Sequence, residues 1–412
     1  MLSVLINDSG IYGLWMIKTL LRANLKFKVV FLENSDVINL ENSKALFVPG
    51  GWSENKFQWF SDESKAKLRE FLNNGGLYFG ICGGASLASN GFLNLIDIQR
   101  DKEGVKIFSG PAKIKFYKHP LTNNLDAQQF LWYPPKFKVL NSKVRVLARF
   151  DEPLDGAYIS DIPWEYLKVH RYLGTIQYHG NLFSTRLVQK NPVMMLERFG
   201  DGYVLVTTIH FDTPNSTGIE FFNNLRNYFS LETTDYKSNL HKSIQSRSKL
   251  QDETIRYLNE IYGYLHRAFD CAVKSMLMYK RYDFFYAWRK NIRGSEFQTL
   301  YFLILELLDL LSSYVFSDEA ISKTWDLLTY QVKMLPELER IVRHIENSVF
   351  LSKLAEDPEN EEIKNHFLKE AEREYFGYKK SKDKRRYSGV FREVLNNIER
   401  VLTILYNEIL RC

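Results

Sequence analysis

The run Leu77-Tyr78-Phe79-Gly80-Ile81-Cys82-Gly83-Gly84-Ala85-Ser86 sets a cysteine between glycines, after an apolar segment and before small residues of helical character. This is the pattern of a strand, a tight turn and a helix with a nucleophile at the bend, the cysteine counterpart of a nucleophile elbow. Glycine tolerates close backbone approach and positive φ, so Gly80 and Gly84 keep Cβ atoms out of a crowded turn. A helix opening near Gly83 would aim unpaired N–H groups at the sulfur, which favours the reactive thiolate. The competing reading is a buried structural cysteine, since free Cys packs as a small hydrophobe. A second glycine turn, Pro49-Gly50-Gly51, follows another apolar segment. Backbone N–H groups of Gly51 and Gly83 converging on one carbonyl oxygen would make an oxyanion hole.

The elements that must position these turns alternate. Strands are expected at residues 2–7, 27–32, 45–48 and 77–81, and helices at 12–24 and 62–74. Leu14, Ile17, Leu20 and Leu21 lie on one face of the first helix; Ser61 caps the second, and Gly75-Gly76 stops it. Strands and helices alternating at these lengths predict an α/β sheet with parallel crossovers. Ligands of such sheets collect at the carboxyl ends of the strands, where both glycine turns fall. Further strands are expected near 105–108 and 144–150. Residues 91–95 are expected to finish the helix after Cys82, and the turn-rich stretch 151–175 reads as an insertion over the rim.

The segments Val48-Pro49-Gly50-Gly51, Asn74-Gly75-Gly76 and Tyr78 to Ala85 resemble the class I glutamine amidotransferase superfamily. Within it they look most like the domain at the N-terminus of some biotin–protein ligases. The resemblance covers roughly residues 1–230. It implies a flavodoxin-like, mostly parallel sheet and a Cys–His–acid triad whose acid lies two residues after the histidine. Residues 202–212 answer that pattern with a glycine turn, a strand and His210-Phe211-Asp212, where the family usually has His-Pro-Glu. In this reading Cys82 is the nucleophile, His210 takes the thiol proton, and Asp212 orients the imidazole. Gly50, Trp52, Tyr178, His179 and Asn181 would line the substrate pocket. His179 is the rival base but lacks an acid two residues on; His119 and His170 read as solvated loop residues.

The bulk numbers exclude several classes. The chain has 412 residues, 45% hydrophobic and 25% charged, enough for two or three domains with cores. Net charge is +6, and residues 236–412 hold 29 Lys and Arg against 26 Asp and Glu, so no concentrated basic arm calls for nucleic acid. Three scattered cysteines make neither a disulfide framework nor a zinc site, and suit a reducing compartment. No phosphate-binding loop or metal-ligand spacing appears, so no cofactor is expected. The start reads as a strand without a signal peptide, and the apolar run 297–316 carries Glu306 and Asp309, which argues for a buried helix over a membrane span. A cytoplasmic protein is expected.

Residues 231–251 turn polar and read as a linker. Beyond it helical periodicity dominates, with helices expected at about 252–290, 295–315, 318–334, 337–355, 359–377 and 387–411. This all-α helical bundle domain of unknown role has no visible adenylate-binding loop, so ligase activity is not implied. Tyr279 to Trp288 is an aromatic-dense segment, read as a packed helix junction. The basic run from Lys379 to Arg386 reads as a solvated loop. Two main readings remain: a cysteine-dependent amidohydrolase or amidotransferase-like enzyme acting on a carboxamide or related acyl substrate, and a catalytically inactive descendant. In the second, the pocket binds a small molecule and the helices signal or hold a protein partner. A pure interaction scaffold is a third.

Overall fold

A computed structural model describes residues 1–33, 36–101, 108–159, 162–169, 176–178, 181–183, 190–236, 246–276, 278–288, 295–329, 336, 343, 346–347 and 388–411. The chain forms two compact units, Met1–Tyr236 and Lys237–Cys412.

The first unit begins β1 Leu2–Leu5, α1 Ile11–Arg22, β2 Phe27–Val30, β3 Ala45–Val48, α2 Ser53–Phe57, α3 Asp62–Asn73, β4 Leu77–Ile81 and α4 Gly83–Ala88. It continues with β5 Ile98–Arg100, β6 Phe108–Phe116, β7 Gln128–Trp132, β8 Phe137–Val139, β9 Arg145–Pro153, β10 Tyr158–Ile159, β11 Ile162–Pro163 and α5 Trp164–Val169. The hairpin β12 Ile176–Tyr178 with β13 Asn181–Phe183, then β14 Pro192–Phe199, β15 Gly202–Thr207 and α6 Ile219–Phe229, complete it. One large sheet runs β11-β10-β6-β9-β14-β15-β4-β3-β1-β2, with β7 added on β6. The strands β15, β4, β3, β1 and β2 pair parallel, and from β14 outward the pairings are antiparallel. This is an α/β fold whose parallel portion carries the glycine turns.

All residues of β1, β3 and β4 are buried, as strands covered by helices on both faces must be. A cluster from Leu5, Leu46, Val48, Leu68, Leu72, Tyr78 and Val206 fills one side. Phe47, Phe79, Phe221 and Phe222 pack on the other through edge-on and tilted ring contacts. Ser61 caps α3 as expected, accepting from Ser64 N–H at 3.1 Å.

Three expectations change. The helix after Cys82 ends at Ala88, and Ser89 turns extended to lead into β5. The short α2 was not anticipated; at five residues it is below the length at which periodicity is readable. Residues 231–236, expected in the polar linker, belong to the first unit. Lys26 N–H donates to Glu232 O, Thr234 N–H to Asn24 O, and the buried Tyr236 hydroxyl to Leu25 O at 2.8 Å.

The second unit contains α7 Lys249–Lys274, a hairpin of β16 Met278–Tyr282 and β17 Phe285–Trp288, then α8 Ser295–Ser313, α9 Asp318–Thr329 and α10 Gly389–Arg411. The helix expected over 252–290 therefore stops at Lys274, since the aromatic-rich stretch that follows pairs with itself as strands. Ser248 caps α7, and Gln251 closes the end of α8 by donating to Leu311 O and Tyr314 O. In α10, Phe391, Val394, Leu395, Ile398, Val401, Leu402, Leu405 and Ile409 are buried along one stripe. Glu306 of α8 is buried and accepts the Tyr406 hydroxyl. Among the described residues no helix is long and apolar enough to cross a membrane. The helices expected at 337–355 and 359–377, apart from isolated positions, and the basic run from Lys379 to Arg386 lie outside the described residues.

Candidate functional site

Four neighbouring strands, β15, β4, β3 and β1, end on the same rim, and the loops leaving them bring the sequence-selected residues together. Cys82 stands between β4 and α4 with φ 50° and ψ −99°. That backbone region is sparsely populated for a residue with a side chain, and costs on the order of 1–3 kcal/mol. It persists because its surroundings leave no slack. Cys82 N–H donates to Thr207 O at 2.8 Å. A Cβ on Gly80 would stand 2.6 Å from Gly84 O, and one on Gly84 would stand 2.0 Å from Val48 O. Only glycines allow α4 to press onto β3 and β4 this closely. Tyr78, fully buried, donates its hydroxyl to Gly84 O at 2.8 Å and ties the bend to the strand below.

Gly51 takes φ +112°, open to glycine, and its carbonyl lies 2.2 Å from where a Cβ on Gly83 would be. The two glycine turns are thus in backbone contact. Among the described residues neither the Gly51 nor the Gly83 N–H is given to a protein acceptor.

The neighbouring strand β15 runs parallel to β4, with Thr207 opposite Ile81, so the residues after each strand share the rim. His210 and Asp212 are fully buried there. His210 Nδ1 and Asp212 Oδ1 are 3.0 Å apart, so the shorter acid reaches the ring. His210 N–H donates to Phe130 O at 2.8 Å, and Thr213 Oγ1 donates to His210 O at 2.8 Å. Phe211, where the family pattern has proline, is buried and stacks on Phe221 at 4.0 Å between ring centroids, which fixes this turn by packing.

Burial favours the neutral imidazole, but the Asp212 charge and hydrogen bond, aided by the nearby Cys82 sulfur, outweigh it and push His210 up to about 9. Among the described residues His210 Nε2 and Asp212 Oδ2 have no hydrogen-bond partner. The Cys82 thiol, 9% exposed, points to Trp132 O at 3.8 Å.

Several neighbours were not singled out from the sequence. Tyr12 of α1 lies 4.9 Å from His210 between ring centroids, and Trp15 stands edge-on to it at 6.3 Å. A Cβ on Gly50 would be 2.9 Å from Tyr12 Cγ and 3.1 Å from His210 Cε1, so Gly50 is where backbone and both rings meet. Burial first, then the Cys82, Tyr133 and Asp212 charges, raise the Tyr12 phenol well above its ordinary value, keeping it a hydrogen-bond donor. Trp132 donates Nε1 to Thr213 Oγ1 at 3.0 Å. The signal that could have found these residues was positional: Asp8-Ser9-Gly10 and Tyr12 follow β1, whose carboxyl end shares the rim.

The pocket residues implied by the resemblance divide. Gly50 is at the site, and Trp52 caps α2 with its N–H on Asp8 O at 3.1 Å. Tyr178 and Asn181 face each other in register across the β12–β13 hairpin. His179 and His170 lie outside the described residues. His119, expected in a solvated loop, is buried, accepts from Leu121 N–H at 3.2 Å and lies against Tyr228. Among the described residues no group of three or more His, Cys, Asp or Glu could hold a metal ion. A cavity of about 930 Å³ opens at the amino ends of β3 and β4, around Lys44, Glu70 and Phe229, away from Cys82.

Residues 16–120 match the family model described as biotin-protein ligase, N terminal. The matched span includes Gly50, Gly51 and Cys82 and ends before His210. No curated protein matches the chain in sequence. Similar solved structures include a glutamine amidotransferase, 18% identical, covering 56% of this chain and 97% of its own, at a TM-score of 0.36. PurLQS from Thermotoga maritima is 13% identical over 55% of this chain and 97% of its own, at 0.37. A β-galactosidase from Rahnella sp. R3 is 8% identical over 60% of this chain and 32% of its own, at 0.38.

Proposed function

We propose that this chain, whose residues 16–120 match the biotin-protein ligase N-terminal family, carries a cysteine-dependent amidohydrolase or amidotransferase-like site in its first unit. The observation behind this reading is a cysteine held at φ 50° on the rim, beside a His–Asp pair 3.0 Å apart at the end of the adjacent parallel strand. The Cys82 sulfur attacks the carbonyl carbon of a carboxamide or related acyl group, and its proton passes to His210. Only the neutral imidazole accepts it, and with His210 held at about 9 that form is the minority near neutral pH, so turnover should rise with pH up to about 9. The unengaged N–H groups of Gly51 and Gly83 receive the oxyanion. As the C–N bond breaks, His210 returns the proton to the leaving amine and a thioester remains on Cys82. Water, deprotonated by His210, then releases the acid and restores the thiol. Asp212 keeps the ring oriented through Nδ1.

The test measures ammonia release from a panel of primary carboxamides by the full chain. Release by wild type, lost in folded Cys82→Ser and His210→Gln, is the expected result. Iodoacetamide at neutral pH should modify Cys82 faster than Cys271 and Cys412. The buried sulfur, turned toward Trp132 O, favours a second reading, in which the pocket binds a small molecule without turnover. Slow, equal labelling of all three cysteines with no ammonia released would select that reading.

A further inference from the structure

Asn7, Asp8 and Ser9 leave β1 and enter the turn before α1, and all three are buried. The Asn7 side chain prolongs the sheet, donating to Leu32 O at 2.9 Å and accepting Leu32 N–H at 2.8 Å. Asp8 sits at φ +49° and Gly10 at φ +56°, so this turn needs support to hold its shape. The support comes from α2 and the residues after it. Asn55 Nδ2 donates to Asp8 Oδ1 at 3.3 Å, and Trp59 Nε1 donates to Asp8 Oδ2 at 2.6 Å. Lys56 is fully buried and directs Nζ to Asn7 O at 2.6 Å and to the Ser9 hydroxyl.

Core packing does not account for a lysine in this place. Taking an ammonium out of water is unfavourable even when acceptors surround it, and a methionine would fill similar space without that penalty. What the ammonium does supply is a rigid hold on two consecutive points of the turn. That turn touches both parts of the candidate site. Asp8 O accepts Trp52 N–H at 3.1 Å and stands 2.3 Å from where a Cβ on Gly51 would be. Gly51 in turn abuts Gly83, the residue after Cys82. On its other side the turn leads directly into α1, whose Tyr12 and Trp15 rings wall His210.

We infer that Lys56 is a positioning residue for the chemistry proposed above. It anchors the 7–9 turn so that the Gly51 amide keeps its placement relative to Cys82. The inference rests on the catalytic reading, and two probes of the full chain separate them. Acylation by p-nitrophenyl acetate forms an S–C bond to the acetyl carbon, expels p-nitrophenolate, sends the thiol proton to His210 and passes through an oxyanion. Alkylation by iodoacetamide displaces iodide from a methylene carbon and needs no oxyanion donor.

Lys56→Met should slow acetylation of Cys82 at least about tenfold, as small misplacements of reacting groups do, while alkylation changes less than about threefold. Parallel slowing of both reactions, or acetylation at the wild-type rate, overturns the inference. If Lys56→Met does not fold, Ser9→Ala and Trp59→Phe, which each remove one contact of the turn, should selectively slow acetylation in the same way; unaltered acetylation in both overturns it. Wild-type protein that alkylates at Cys82 but forms no thioester removes the catalytic reading and this inference together. Wild type that acetylates at the same rate as Lys56→Met removes this inference alone.

Discussion

The protonation of His210 is the property of the site most open to direct measurement. The imidazole is fully buried, which by itself would drive its pKa below the ordinary 6.5, yet Asp212 and Cys82 bring it up to about 9. At about 1.4 kcal/mol per pH unit, this corresponds to on the order of 3 kcal/mol of preferential proton binding by the folded state. The sign follows from which state holds the proton. Below about pH 6.5 folded and unfolded chains both carry it, and the stabilisation is fully present. Between 6.5 and about 9 only the folded chain keeps it, and stability declines as pH rises. Above about 9 the contribution is gone. Carbon-13-labelled histidine allows the ring to be followed by NMR, with its signal identified by its loss in His210→Gln. The expected midpoint is near 9 in wild type, somewhat lower in Cys82→Ser, and below the ordinary value in Asp212→Asn, where burial acts unopposed. Urea unfolding of the first unit should show the matching loss of stability across the same pH window. A wild-type midpoint at or below 6.5 would refute the claim that the aspartate outweighs desolvation.

Three further outcomes follow from the backbone and the helical unit. Cys82→Gly should be more stable than Cys82→Ala by about 1 kcal/mol, because glycine accepts φ 50° and ψ −99° where alanine does not; equal melting temperatures would dispose of the strain. Gly51→Ala meets Asp8 O at 2.3 Å at φ +112°, and should lose on the order of 1–3 kcal/mol in thermal unfolding, with wild-type stability as the contrary result. Tyr406→Phe deprives buried Glu306 of a hydroxyl donor and should destabilise the second unit by about 1–3 kcal/mol, read from the circular dichroism of its helices; no change would mean that water or another donor serves the carboxylate equally well.

Much of the site was legible before folding was considered, because its parts obey local rules. The glycines around Cys82 announce a bend, since a Cβ on Gly80, Gly83 or Gly84 would stand 2.0–2.6 Å from a backbone carbonyl oxygen. The His-x-Asp pair after β15 could be picked out because both residues lie in one short turn. Lys56 could not. It looks like any surface lysine, and only the arrival of β1 beside α2 turns it into a buried donor to Asn7. Tyr12 reads as an ordinary helix residue, because its contact with His210 joins residues 198 positions apart. In the second unit, the aromatic stretch after Lys274 continued a helical pattern well enough to conceal a hairpin, whose pairing depends on the two strands finding each other.

Residue order alone thus set the alternating α/β plan, the sharp turn at Cys82, the pairing of His210 with Asp212, and the amphipathic stripe of α10. These depend on steric and periodic preferences that act over a few neighbours. Which strands lie side by side is a different kind of fact. Placing β15 against β4, and the turn after β1 against Gly51, was settled by burial of the parallel strands between two layers of side chains. That cooperative choice brings together residues that have no local reason to meet, and it carried a lysine into the interior behind the turn that abuts Gly51.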